Sequence, residues 1–139
     1  MKNYELIEHT ADVGIKVKGN DLKDLFKNAA SAMFDIIAEK KSKEQRAKSK
    51  EILVKQKAEN LEELFVNWLN ELLSLSATKE LIFSGFQINK IDKNTLQAVA
   101  IGEDIKNYRV NTEVKAATYH QLKLEHTETG WQAEVIFDV

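Results

Sequence analysis

Only two segments of this chain carry apolar residues at helical spacing, and almost everything after the second reads as strand; that asymmetry restricts the fold more than any other feature. After Gly19, with Asn20 or Asp21 placed to cap, Leu22, Leu25, Phe26, Ala29, Ala30, Met33, Phe34 and Ile37 recur every three or four residues and form one apolar stripe. The second helix is predicted to start at Asn60, whose side chain can accept from first-turn N–H groups while Glu63 reaches back in a capping box. Leu61, Leu64, Phe65, Trp68, Leu69, Leu72 and Leu73 then line its buried face.

The remaining segments have the two-residue period of strands. Val13, Ile15 and Val17 alternate with polar or small residues, and Ile52 and Val54 mark a short strand. The stretches 81–91 and 95–101 flank Asp92, Lys93 and Asn94, which have the chemistry of a hairpin turn, and Gly85 is placed to be a bulge. Thr118, His120, Leu122 and Leu124 alternate before HTETG (126–130), and Trp131, Ala133, Val135 and Phe137 alternate after it, so a final antiparallel pair is expected. Strands and helices do not alternate regularly, which argues against a parallel doubly wound sheet. The expected fold is α+β, one compact domain over residues 1–139, with mixed or antiparallel sheet layers packed on two main helices.

Composition narrows the function classes without naming one. With 20 basic and 22 acidic side chains the formal charge is −2, so no general basic field announces nucleic acid. The absence of cysteine removes disulfides, zinc–thiolate sites and thiol nucleophiles, and the start MKNYELIEHT lacks the apolar core of a secretory signal. A soluble, cytoplasmic protein without membrane contact is expected. The lysine-rich stretch 39–50 is read as a solvated connection leaving the first helix, because no aromatic residues interleave with its charges to stack on bases.

The polar cluster EHTADVG (8–14) and the abrupt ending VIFDV (135–139) are the candidate site. Alternation in the last strand sends Asp138 away from the core, next to Val139 and its α-carboxylate, and a chain end that stays apolar to its last residue suggests docking. If it docks beside the EHTAD turn, Asp12, Asp138 and the terminal carboxylate converge, and a bound cation would relieve their repulsion. An oxygen-only set selects a hard ion such as Ca²⁺ or Mg²⁺. His9 could join or orient an aspartate. Read from the residues alone, a turn or capping role for Asp12 ranks ahead.

The segments HTADVGIKVKG, NAASAMFDII, LFVNWLNELLSL and above all EVKAATYHQLKLEHTETGWQAEVIFDV resemble the archease family, in order and over essentially the whole chain. That resemblance implies a small α+β activator of the RtcB-type tRNA-splicing ligase, promoting its GTP-dependent guanylylation and multiple turnover, and not an enzyme itself. It implies Asp12, Asp138 and a main-chain or terminal oxygen of Val139 as ligands of a divalent cation, Ca²⁺ first and Mg²⁺ or Mn²⁺ as alternatives. His9, Lys115 and His120 follow as supporting or partner-contacting residues, with direct or indirect tRNA contact left open. Two rival readings are a hydrolase with Asp12 and Asp138 holding the ion and His9 or His120 as general base, and an RNA-binding or chaperone-like module built on the basic stretch.

Overall fold

The structure is a computed structural model that describes residues 4–7, 12–42 and 48–139. Its strands are β1 (Tyr4–Ile7), β2 (Val13–Gly19), β3 (Ala38–Lys40), β4 (Lys50–Lys57), β5 (Leu81–Ile91), β6 (Thr95–Asp104), β7 (Tyr108–Val110), β8 (Ala116–Ala117), β9 (Lys123–Thr127) and β10 (Gly130–Asp138). The helices are α1 (Leu22–Ile37) and α2 (Leu61–Lys79). Every described pairing is antiparallel. One sheet runs β1-β2-β10-β8 with β9 also on β10, a second runs β4-β6-β5, and β3 pairs with β7. The helices lie between the two larger sheets: α1 packs on β2 and β5, and α2 on β4, β5 and β8.

Both helices begin where their side-chain chemistry dictates. The Asp21 carboxylate accepts from the Asp24 N–H at 2.8 Å, and the Asn60 amide oxygen accepts from the Glu63 N–H at 2.8 Å. The Glu63 side chain reaches back to the N–H of Glu59, one residue beyond the position a capping box uses. The α1 stripe buries Leu25, Phe26, Ala29, Ala30, Met33 and Phe34, and α2 buries Leu64, Phe65, Trp68, Leu69 and Leu72. Each large side chain so removed from water contributes about 1.5–3 kcal/mol. The helices meet edge to face at Phe26 and Phe65, with ring centroids 5.1 Å apart, and the Trp68 indole N–H donates to the Phe26 carbonyl at 3.0 Å. A buried indole N–H left without that carbonyl would oppose burial of the ring.

Two expectations from the sequence are corrected. Residues 118–122 are not strand: β8 ends at Ala117, a turn follows with Gln121 at φ 52°, and β9 starts only at Lys123. The Thr118 hydroxyl donates to the Ile136 carbonyl and accepts from the His120 N–H, so local side-chain bonding replaces the ladder that the alternation suggested. Likewise 39–50 is not all solvated connection. Its first residues form β3 against β7, and the Lys40 ammonium lies 3.1 Å from the Glu103 carboxylate; residues 43–47 lie outside the described residues.

The bulge expected at Gly85 is present, with the β5–β6 register shifting between Phe83 and Gly85. At the other sheet, the β9–β10 hairpin depends on Gly130, whose φ is +149° and where an added Cβ would lie 2.3 Å from the Gly19 carbonyl oxygen. That close approach sets the start of β10 against the end of β2, and the register follows from there.

Candidate functional site

The pairing of β2 with β10 decides where the two acidic segments lie. Trp131 faces Gly19 at one end of the ladder and Phe137 faces Val13 at the other. Asp12 precedes Val13 as a bend residue and Asp138 follows Phe137, so each aspartate adjoins the last pair of the ladder. Asp138 is exposed and Asp12 is half-buried. The two aspartates therefore lie at the same end of the β2–β10 ladder.

The end of β10 is held on its other side as well. Ala117 and Ala116 of β8 pair with Phe137 and Asp138, the Lys115 N–H donates to the Asp138 carbonyl at 2.8 Å, and the Thr118 N–H donates to the Ile136 carbonyl at 3.0 Å. β8 is in turn fixed to α2 by one side chain. The Asn70 carboxamide accepts from the Ala117 N–H at 2.7 Å and donates to the Ala117 carbonyl at 3.1 Å, completing both backbone groups of a two-residue strand. Strand order, bridging asparagine and threonine clamp thus place Asp138 on a rigid support.

The expected site residues divide accordingly. Asp12 and Asp138 lie at the same end of the β2–β10 ladder, and Val139 follows directly on Asp138 with 38% of its surface exposed. Lys115 is exposed and reaches the site through its main chain, by the bond to the Asp138 carbonyl. His120 is exposed in the turn after β8 and does not share a strand face with Leu122 and Leu124, so a core-histidine role is excluded. His9 lies outside the described residues. Asn70 and Thr118 are positioning residues that reading the sequence missed. The one signal for Asn70 was a polar residue inside the apolar run VNWLNELL.

The donor chemistry fits a hard cation: among these residues it consists of carboxylate and main-chain oxygens, with no sulfur. Among the described residues no three His, Cys, Asp or Glu side chains come together as a metal-holding group. The two aspartates alone therefore do not make such a group.

Comparison with known proteins gives a consistent picture. Residues 4–139 match the model of the Archease protein family. The chain is 40% identical to Protein archease of Methanosarcina acetivorans, with 99% of this chain and 97% of the relative covered. It is 38% identical to Protein archease of Pyrococcus abyssi over the whole of both. Among solved structures, Methanobacterium thermoautotrophicum protein 1598 superposes with a TM-score of 0.73 at 30% identity over the full length of both chains. An archease of Thermotoga maritima, described as a possible chaperone, superposes at 0.65 with 26% identity, covering 97% of this chain and 96% of that one.

Proposed function

The chain belongs to the archease family, and from that premise we propose that it activates an RtcB-type RNA ligase of tRNA splicing by presenting the Asp12–Asp138 edge to the ligase's nucleotide site. What supports this reading is the β2–β10 register, whose last pair, Phe137 with Val13, is adjoined by Asp138 on one strand and Asp12 before the other. In the ligase step concerned, a ligase histidine nitrogen attacks the α-phosphorus of GTP, pyrophosphate departs and a covalent enzyme–GMP remains. Asp12, Asp138 and a main-chain or terminal oxygen of Val139 would hold the divalent cation. When bound, that ion supplies positive charge beside phosphate oxygens.

The chain's own part is preorganisation. Asn70 and Thr118 fix β8, β8 and β2 fix the end of β10, and Asp138 arrives at its partner without having to be ordered there. The Lys115 N–H occupies the Asp138 carbonyl, so the strand end cannot swing away without breaking that bond. A chaperone reading would want a continuous exposed apolar surface. Among the described residues the large exposed hydrophobics are instead scattered: Leu6 on β1, Leu53 on β4, Val110 on β7, Tyr119 in the turn after β8 and Val139 after β10.

The test is to mix the purified protein with its cognate ligase and radiolabelled GTP and to follow formation of enzyme–GMP. Stimulation that Asp12→Asn and Asp138→Asn each remove, at concentrations where the variants still bind the ligase, supports the proposal. Undiminished stimulation by both variants sinks it.

A further inference from the structure

The outward side of the five-stranded sheet is not uniformly polar. Val135 and Phe137 are buried in the core, so the alternate residues Glu134 and Ile136 face the other way. In the ladder Ile7 pairs with Gly14 and Gly14 with Ile136, while the row beside it reads Glu5, Lys16, Glu134, Lys123. An apolar row with a glycine at its centre therefore lies next to a charged one. Ile136 is only 5% exposed yet stands outside the core cluster.

These rows and the turn after β8 enclose a pocket of about 350 Å³, lined by Ile7, Gln121, Leu122, Lys123, Glu134 and Ile136. Ligand sites span about 300–1,000 Å³, so this one takes a single ring system and not an extended molecule. Three branched apolar side chains offer it contact. Lys123 and Glu134 lie 3.6 Å apart, an ion pair too long for a hydrogen bond, so the ammonium keeps its donors and the carboxylate its acceptors. Gln121, at φ 52°, holds a left-handed conformation that favours glycine, which is the kind of local strain found at ligand clamps.

We propose that this pocket holds a guanine base. A ligand edge that meets Lys123 and Glu134 together must carry an acceptor beside donors. Guanine brings O6 for the ammonium, and its N1–H and 2-amino groups donate side by side to the two carboxylate oxygens. Adenine sets one amino N–H beside a ring acceptor, and uracil one ring N–H between two acceptors, so each leaves a carboxylate oxygen unmet. The Gln121 carboxamide supplies a donor for N7, and Ile7, Leu122 and Ile136 pack on the ring. A free nucleotide and an unpaired RNA residue present the same base. The site belongs to this chain alone and stands whether or not a ligase is engaged.

The experiment titrates the ¹⁵N-labelled protein with GMP, AMP, UMP and the RNA trinucleotides UUG and UUA, each to about 5 mM, and follows the amide spectrum. GMP and UUG should move the signals of Gln121, Leu122, Lys123, Glu134 and Ile136, with AMP, UMP and UUA at least tenfold weaker. UUG binding tighter than GMP assigns the site to an RNA residue, and the reverse order to a free nucleotide. Glu134→Gln keeps the shape but offers one acceptor oxygen, and should weaken guanine binding at least tenfold. Gln121→Gly relieves the left-handed turn, so its Tm should hold or rise while guanine binding weakens several-fold. No response of these signals to GMP or UUG, an equal response to AMP, or full binding by both variants each overturns the proposal.

Discussion

Replacing Asn70 with alanine removes two hydrogen bonds from one place, the N–H at 2.7 Å and the carbonyl at 3.1 Å of Ala117. Each bond is worth about 0.5–1.5 kcal/mol net, so the expected loss is about 1–3 kcal/mol. With an m-value of about 2 kcal/mol/M for urea, the unfolding midpoint falls by roughly 1 M. The consequence is also local: the Ala117 N–H loses its acceptor, and β8 is the strand that pairs with Asp138. Hydrogen exchange at the Ala117 amide should therefore quicken by more than the global loss requires, and ligase stimulation should fall even where the protein is fully folded. A variant with an unchanged midpoint and an unchanged Ala117 exchange rate refutes the idea that this asparagine holds the strand in place.

Other perturbations read other parts of the account. Asp138→Asn alters an exposed residue, so stability should stay within about 0.5 kcal/mol in urea unfolding while cation binding, followed by calorimetry, is lost. Gly130→Ala adds a Cβ that meets the Gly19 carbonyl oxygen at 2.3 Å at a φ of +149°, and a loss above about 2 kcal/mol is expected in thermal unfolding; a silent substitution would contradict the close approach. The Asp92 carboxylate accepts from the Asn94 and Thr95 N–H groups and the Thr95 hydroxyl, which holds its pKa below the ordinary 3.8. A group lowered in the folded state stabilises at pH above 3.8 and loses that contribution as pH falls through its folded value. Asp92→Ala should therefore flatten the acid limb of Tm against pH, and an unaltered limb would count against the turn's role.

What could be read from sequence and what could not divide by the range of the interactions. Both helices were legible because stripe and cap are local: Asp21 and Asn60 cap where their side-chain chemistry points. The hairpin at Asp92 and the bulge at Gly85 were legible for the same reason. The short strands β3, β7 and β8 exist only through partners far away in sequence, so no local period announced them. The turn at 118–122 was misread because YHQL holds no glycine, proline or asparagine, and Gln121 takes the left-handed conformation that those residues usually mark. For the candidate site, the apolar run to Val139 suggested a docked strand, but only the register shows that it ends beside the start of β2. The contribution of Asn70 required the position of β8.

Paramagnetic Mn²⁺ reports directly whether Asp12 and Asp138 hold one cation at the end of the β2–β10 ladder. Titrated substoichiometrically into the ¹⁵N-labelled protein, Mn²⁺ should broaden the amide signals of Asp12, Val13, Asp138 and Val139 before those of any other described residue, and Ca²⁺ should reverse it. Broadening that begins elsewhere, or that spreads evenly over the acidic surface, would contradict the claim.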